Sequence, residues 1–132
     1  MRIRATTDID LVEKLHRSIF PVDDFPDDCK HWIAWEDDVP VGFCSAKYVD
    51  GENTVFMARA GVLPKYRGNG YHKRMLSVRE RWARKVARWA VTYCTYENHT
   101  SLASLIKNGW TLYEPARKWA DQAHYLQKDL HD

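Results

Sequence analysis

The residues best suited to chemistry form one short stretch, Arg67-Gly68-Asn69-Gly70-Tyr71-His72, followed by Lys73. Because Gly68 and Gly70 remove side chains from a loop, backbone N–H groups from about Gly68 to Lys73 can converge on an anion. A helix that begins at the end of the loop would add the partial positive charge of its first turn. Arg67 and Lys73 add full positive charges. The stretch therefore predicts a binding site for a phosphate group.

Several other kinds of site are excluded by residue type and spacing. A Rossmann fingerprint would need glycine at the position of Lys73, and a P-loop would need Gly-Lys followed by Ser or Thr. The histidines and cysteines are scattered, without an H-E-x-x-H or C-x-x-C pattern, so we predict no bound metal and no disulfide framework. The loop therefore belongs to another class of phosphate-binding motif.

Two segments resemble the GNAT superfamily of N-acetyltransferases. The cofactor motif of that family is Arg or Gln, two variable residues, Gly, one variable residue, and then Gly or Ala. The stretch from Arg67 to His72 matches it except at His72, where a small residue is usual. A second segment is similar to the family's N-x-x-[AS] helix ending in K-x-G-[FW], and its matching residues are Asn98, Ser101, Lys107, Gly109 and Trp110.

The resemblance implies a cofactor and the residues that bind it. Family members use acetyl-coenzyme A (acetyl-CoA), whose pantetheine arm lies along the splayed edge of the strand before the loop and whose pyrophosphate binds the loop. The cofactor-binding residues implied here are Ala60, Gly61, Val62, Arg67, Gly68, Asn69, Gly70, Tyr71, His72, Lys73 and Asn98. The resemblance also implies the reaction, which moves the acetyl group directly to a primary amine of a protein, a peptide or a small molecule.

The group that would protonate the departing thiolate is left open. The family's usual general acid is a tyrosine in the fourth helix, and the matching position here is Leu105. The nearby candidates for this role are Tyr93, Cys94, Tyr96 and Ser104. We favour the two tyrosines. Covalent catalysis by Cys44 or Cys94 is the minor alternative, because neither has a histidine at a recognisable spacing.

An acidic loop that follows the first helix is the candidate acceptor site. Phe20-Pro21-Val22 resembles a turn that N-terminal acetyltransferases of the family place beside the acceptor peptide. Asp23 and Asp24 could attract a cationic amine, with a solvated acidic loop as an equal alternative. Because no histidine or glutamate falls on an obvious catalytic position, we favour an amine of low pKa, such as a peptide N-terminus. Glu52, Asp23 and Asp24 are the candidate bases.

Alternating strands and helices must position these residues. Runs of β-forming residues bounded by turn residues predict seven strands. They lie at residues 2–5, 31–36, 41–49, 54–63, 90–96, 110–113 and 125–130. Residues 37–40 are predicted as the turn of an antiparallel pair. Helices are predicted from Asp8, as N-cap, to the residue before Pro21, and from Asn98 to Asn108, closed by Gly109.

A long helix after the loop completes the predicted elements. Its predicted apolar face consists of Tyr71, Met75, Val78, Trp82, Val86 and Trp89. The remaining surface from Gly70 to Arg88 is rich in Lys and Arg, Arg79 included, and is predicted to be a solvated basic face.

This order predicts an α/β (α+β) fold with a mixed sheet. The resemblance specifies a GNAT-like, mostly antiparallel twisted sheet with helices on both faces and a splayed central strand pair. The length of 132 residues fits a single acetyltransferase domain, residues 1–132. No apolar run approaches the roughly 20 residues of a membrane span, so we expect a cytoplasmic protein without membrane contact.

Two alternatives to an active acetyltransferase are left open. The basic helix with its tryptophans could bind nucleic acid, although a net charge of +2 argues against that class. The leucine at position 105 could instead mark a family member that binds the cofactor without transferring an acetyl group. The sequence leaves the oligomeric state undecided, with a homodimer among the options.

Overall fold

The computed structural model describes residues 1–131, in which every predicted strand and helix is present. The strands are β1 (Arg2–Thr6), β2 (Lys30–Glu36), β3 (Val39–Val49), β4 (Thr54–Val62), β5 (Trp89–Thr95), β6 (Thr111–Leu112) and β7 (Ala123–Asp129). The helices are α1 (Ile9–Ile19), α2 (Tyr71–Val86) and α3 (His99–Lys107), with a short 3-10 helix at Pro64–Tyr66. Within residues 1–131, no helix has the length and apolar content needed to cross a membrane.

The strands form one sheet in the order β1-β2-β3-β4-β5-β7-β6. Neighbouring strands are antiparallel except β4 and β5, which run parallel. The β4 and β5 strands pair only from Thr54 to Phe56 and from Trp89 to Val91, although both strands continue further. The predicted mixed, mostly antiparallel sheet and its splayed central pair are therefore confirmed.

Helices cover both faces of the sheet because successive side chains of a strand point to opposite faces. On one face, Val12 of α1 packs in a cluster with Ile33 and Phe43. On the other face, Met75 of α2 belongs to a larger cluster that includes Trp32, the neighbour of Ile33. The prediction of helices on both faces is confirmed.

Local signals set the helix ends as predicted. The Asp8 carboxylate accepts a hydrogen bond from the N–H of Leu11 at 3.2 Å and starts α1. The side-chain oxygen of Asn98 accepts one from the N–H of Ser101, also at 3.2 Å, and starts α3. Gly109 follows α3 in the left-handed conformation, with φ of +92°.

The predicted turn at residues 37–40 is too long. Asp37 and Asp38 form the turn, whereas Val39 and Pro40 already belong to β3. The β2–β3 register shifts beside Trp35, which pairs with Pro40. A proline is tolerated at such a bulge because the ladder hydrogen bonds are already interrupted there.

Two boundaries near the second half of the chain also differ from the prediction. Trp89 begins β5 instead of extending the helix, because α2 ends at Val86 and the Trp89 N–H donates to the carbonyl of Asn53 at 3.2 Å. The strand predicted at residues 110–113 is reduced to Thr111–Leu112. The Trp110 N–H still donates to the Leu105 carbonyl at the end of α3, at 3.0 Å, so Trp110 cannot join the strand ladder.

The sheet-facing side of α2 carries charge, which contradicts the prediction that its cations form one solvated face. Arg79 is only 5% exposed. Glu80 is also buried, and its carboxylate accepts a hydrogen bond from Trp110 Nε1 at 2.8 Å and pairs with Lys128 Nζ at 3.2 Å. The contact between α2 and the rest of the protein is therefore partly ionic.

Two buried histidines under the acidic loop make stability depend on pH. Burial lowers the pKa of His16 and of His31 below the ordinary value of 6.5, and their Nε2 atoms have no hydrogen-bond partner within residues 1–131. The unfolded chain therefore binds more protons than the folded chain once the pH falls below 6.5. We expect stability to fall by up to about 1.4 kcal/mol per pH unit for each histidine.

The measurement is the melting temperature between about pH 7.5 and about pH 5.5, where histidine is the side chain that titrates. His16→Gln should reduce the drop in melting temperature across this range, whereas the same substitution at the exposed His99 should leave the drop unchanged. An identical pH dependence in His16→Gln and the unaltered protein would contradict the assignment.

Candidate functional site

A cleft of about 750 Å³ opens where β4 and β5 separate. Its walls come from β4 and β5, from α2 and α3, and from the acidic loop after α1. Since β5 departs after Val91, one edge of β4 beyond Phe56 has no neighbouring strand to satisfy its backbone groups. A ligand that lies in the cleft can therefore use this edge as a strand would.

An irregularity in β4 marks the point of separation. Cys44 pairs with Ala60 but Ala46 pairs with Met57, so Ser45 faces two residues of β4, Ala58 and Arg59. Nearby side chains donate hydrogen bonds to backbone carbonyls at the start of this bulge. The Thr92 hydroxyl donates to the Met57 carbonyl at 3.0 Å, and Arg79 Nη1 donates to the Ala58 carbonyl at 3.5 Å.

The predicted anion-binding loop lies between the end of β4 and the start of α2. Gly68 and Gly70 both adopt left-handed conformations, with φ of +83° and +79°, and an added Cβ at either would meet no atom within 4 Å. Among residues 1–131, the backbone N–H groups from Gly68 to Lys73 have no hydrogen-bond acceptor, since the first bond of the helix joins Arg74 to Gly70. Six donors are thus available at a positively polarised helix end.

Neighbouring side chains hold this loop. The Arg67 Nε donates to the Val62 carbonyl at 3.1 Å, and the Asn69 amide donates to the Tyr66 carbonyl at 3.0 Å. Tyr71 is buried and its hydroxyl donates to Glu36. The Tyr71 side chain therefore anchors the loop to the core, and only the backbone N–H of this residue is available to bind an anion.

The cofactor-binding residues implied by the resemblance fall into three groups. Ala60, His72 and Asn98 line the cleft, and the loop residues from Arg67 to Gly70 are exposed outside its lining. Gly61 and Val62 do not line it, because their side-chain positions point into the core: a Cβ on Gly61 would lie 2.8 Å from Ile19 and Phe20. Any role of these two residues is limited to backbone groups.

His72 stands at the cleft with its ring uncharged at neutral pH. Desolvation by burial and the charges of Arg79 and Arg67 lower its pKa below 6.5. The residue that replaces the small residue of the family motif therefore brings a neutral ring that can both donate and accept a hydrogen bond.

The catalytic candidates are separated by the structure. Tyr93 and Ser104 line the cleft, and the Tyr93 ring stacks on Phe56 with centroids 6.0 Å apart. Tyr96 lies outside the cleft and packs edge-on against His124 at 4.8 Å. Tyr93 belongs to β5, whereas Tyr96 lies in the turn after β5 ends at Thr95, and the two tyrosines do not share the cleft.

The cysteines are poorly suited to attack a thioester. All three cysteines are free, and Cys94 lines the cleft. Burial raises the pKa of the Cys94 thiol, and it raises the pKa of Cys44, which lies in the core, to about 11. Both thiols therefore stay protonated at neutral pH and are weak nucleophiles.

The acidic loop contributes part of the predicted acceptor site. Phe20 and Asp24 line the cleft, whereas Pro21 and Val22 are exposed and do not. Asp23 pairs with Arg59 through an Nη1–Oδ2 contact of 2.8 Å. Glu52, another candidate base, lies in the turn between β3 and β4, away from the cleft.

Sequence reasoning missed several cleft residues. Arg59 and Thr92 sit within strands that carry no motif, and nothing in their local sequence marks them. Arg79 did leave a signal, since it lies at four-residue spacing between two buried positions of α2, Met75 and Ala83. A charged residue on a buried helical stripe is a candidate for function.

Comparison with known proteins agrees with this geometry. Residues 4–110 match the sequence model of the "Acetyltransferase (GNAT) family". A search of curated proteins finds no match. The fold is shared with solved structures at low sequence identity, so these similarities concern the fold alone.

Three of the similar structures illustrate the agreement. The IAA acetyltransferase from Bacillus cereus is 11% identical, with a TM-score of 0.80 over 97% of this chain and 98% of that one. A GNAT family acetyltransferase from Elizabethkingia anophelis, with acetyl-CoA bound, is 15% identical, with a TM-score of 0.78 over 97% of both chains. The PaiA N-acetyltransferase from Thermoplasma acidophilum, in complex with coenzyme A, is 15% identical, with a TM-score of 0.74 over 98% and 99%. Because the family match covers most of its length, the chain belongs to the GNAT family of acetyltransferases.

Proposed function

We propose that the protein transfers an acetyl group from acetyl-CoA directly to a primary amine. The observation that carries the proposal is the row of six backbone N–H donors from Gly68 to Lys73, which lack acceptors among residues 1–131 and lie beside the cleft. Such a row suits a diphosphate, because each N–H can donate to a phosphate oxygen.

The residues present fit coenzyme A. The loop would hold its pyrophosphate, exposed cations at the start of α2, Lys73 and Arg74, would meet its remaining phosphate, and the free edge of β4 at Ala60 would bind its pantetheine amides. The bound forms of the similar proteins from E. anophelis and T. acidophilum support this ligand. Acetyl-CoA supplies the activated acetyl group for the reaction.

The transfer needs an uncharged amine. Its nitrogen lone pair forms the new C–N bond, the C–S bond breaks with its electrons on sulfur, nitrogen loses one proton and sulfur gains one. Deprotonating a lysine amine at pH 7 costs about 4–5 kcal/mol, whereas an α-amine costs about 1 kcal/mol. Asp24 is the carboxylate of the acidic loop that lines the cleft. These features favour an amine of low pKa, such as a peptide N-terminus, with water carrying the proton away.

Tyr93 is the better of the two hydroxyl candidates in the cleft for giving sulfur its proton, because a phenol is more acidic than the Ser104 hydroxyl. We expect Tyr93→Phe to lower kcat by about a hundredfold or more, while the dissociation constant for acetyl-CoA stays the same. Ser104→Ala is the matched loss of one hydroxyl and should have a smaller effect. Equal kcat values for Tyr93→Phe and the unaltered protein would exclude Tyr93 as the acid.

A second candidate function is cofactor binding without transfer, which the position of Leu105 supports. Leu105 lines the cleft but offers no proton, and it stands where the family's usual acid is expected. A protein that only binds the cofactor would retain the loop but would lack the proton donor that acetyl transfer needs. Release of coenzyme A thiol in the presence of a panel of amines separates the two functions.

The proposed function is tested by thermal denaturation with and without acetyl-CoA. Binding should raise the melting temperature, since a ligand that binds only the folded state stabilises it. Incubation with a labelled acetyl donor and cell extract should then label the acceptor. If acetyl-CoA gives no stabilisation, but RNA binds with steep salt dependence, the protein is a nucleic-acid-binding module instead.

A further inference from the structure

Arg79 is a buried cation without an ion pair. Its side chain is 5% exposed, and no carboxylate lies within 4 Å of it among residues 1–131. The neighbouring Glu80 is engaged by Lys128 and by Trp110 Nε1. An arginine stays charged even when buried, so this unpaired charge costs stability and calls for a role in function.

The hydrogen bonds of Arg79 aim it at the bulge of β4. Its Nε donates to the Met75 carbonyl at 3.2 Å, and its Nη1 donates to the carbonyls of Ser45 at 3.3 Å and Ala58 at 3.5 Å. These hydrogen bonds hold α2 against β3 and β4 at the position of the bulge. These contacts fix the guanidinium plane and occupy two of its three nitrogens.

The third nitrogen, Nη2, has no hydrogen-bond partner among residues 1–131. Among residues 1–131, the fully buried side-chain nitrogens and oxygens without a partner are Nε2 of His16 and Nε2 of His31. Arg79 Nη2 therefore keeps some accessible surface. Because Arg79 lines the cleft, its remaining accessible surface opens there. Two N–H bonds of a fixed cation are therefore available to a ligand at the point where β4 and β5 separate.

The other groups near this point do not neutralise the charge. The Cys44 thiol is protonated, since burial raises its pKa to about 11, and the His72 ring is neutral. Thr92 directs its hydroxyl to the Met57 carbonyl. Arg79 thus places a positive charge at the inner wall of the cleft, and no carboxylate among residues 1–131 pairs with it.

An acyl transfer generates the complementary charge. As the amine adds to the thioester, the electron pair of the C=O bond moves to oxygen, and that pair returns when the C–S bond breaks. Along β4, moving away from the glycine loop, Ala60 comes first and the bulge at Ala58 follows. A ligand whose diphosphate binds the loop and whose arm follows the strand edge would place its acyl end near this bulge.

We propose that Arg79 donates from Nη2 to the thioester oxygen of the bound acyl donor and stabilises the negative charge that develops there. This inference rests on the proposed function, since it needs acetyl-CoA in the cleft. Arg79 is then a catalytic residue that also holds the bulge. Donors that are already oriented in a dry site stabilise such a charge strongly, and removal of one typically lowers kcat by about 100- to 1,000-fold.

The test is the infrared stretching frequency of the thioester carbonyl in isotope-labelled acetyl-CoA. A cation that polarises the C=O bond lowers this frequency, so we expect a shift on binding to the unaltered protein. Arg79→Gln should abolish the shift while calorimetry shows acetyl-CoA affinity within about threefold of the original. Arg79→Met is a second neutral variant that should give the same result.

Arg81→Gln is the matched control, because it removes an exposed charge from the same helix and should retain the full shift. A full shift in either folded neutral variant at position 79, or no shift in the unaltered protein with acetyl-CoA bound, would overturn the role of Arg79. Failure of the unaltered protein to bind acetyl-CoA in calorimetry would instead overturn the proposed function, and this inference with it.

Discussion

Gly70→Glu should weaken binding of both coenzyme A and acetyl-CoA by at least about a hundredfold, which corresponds to about 2.7 kcal/mol. Gly70 has φ of +79° and forms the N-cap of α2, so its neighbours supply the N–H donors of the anion loop. A residue with a side chain is strained by about 1–2 kcal/mol in this conformation and will shift the loop. The carboxylate also adds a negative charge beside the phosphates, where the helix end favours binding of an anion.

Gly51→Glu provides a matched control for this experiment. Gly51 has φ of +78°, and an added Cβ there meets no atom within 4 Å, as at Gly70. It lies in the turn between β3 and β4, away from the loop, so it reproduces the backbone strain and the added charge. Calorimetry should show unchanged affinity in Gly51→Glu. If the affinity of Gly70→Glu is also unchanged, the loop is not part of the coenzyme A binding site.

Glu80→Ala should lower the free energy of unfolding by about 3 kcal/mol or more. The Glu80 carboxylate is the partner of both Lys128 Nζ and Trp110 Nε1, and the side chains of Glu80 and Lys128 are only 9% and 20% exposed. Truncating Glu80 leaves the buried indole N–H of Trp110 without its acceptor and leaves the Lys128 ammonium with the Asn108 carbonyl, at 2.8 Å, but without a carboxylate. Leaving such groups unpaired costs more than the pair itself contributes.

Two comparisons make the Glu80 prediction specific. Glu13→Ala removes an exposed carboxylate that pairs with Arg17 on α1, and we expect a change of less than about 0.5 kcal/mol. Adding Lys128→Met to Glu80→Ala should recover part of the lost stability, because no unpaired ammonium then remains. Chemical denaturation measures all three variants. A loss below about 1 kcal/mol in Glu80→Ala would show that the network contributes little.

The buried face of α2 shows how far periodicity alone can be taken. The apolar stripe correctly placed Tyr71 and Met75 in the core, but Val86 is 42% exposed. The face that packs is rotated toward Arg79 and Glu80, which no hydrophobic pattern selects. Their partners are β-strand carbonyls and Lys128 of β7, which are distant in sequence, so only the assembled sheet could reveal them.

The sequence by itself determined the features that depend on neighbouring residues. The left-handed glycines at positions 68 and 70 and the caps at Asp8 and Asn98 are decided by local backbone conformation and by bonds that span a few residues. The alternation of strands and helices follows from side-chain periodicity, which is also local. For this reason the left-handed glycines of the loop and the order of elements were predictable.

Tertiary structure alone decided which candidates share one cleft. Tyr93 lines the cleft and Tyr96 does not, because the divergence of β5 from β4 determines which residues of β5 are open to the cleft. The burial of Arg79 beside the β4 bulge likewise depends on how α2 sits across two strands. Such relations are fixed by packing between segments far apart in the chain, and so a local pattern cannot contain them.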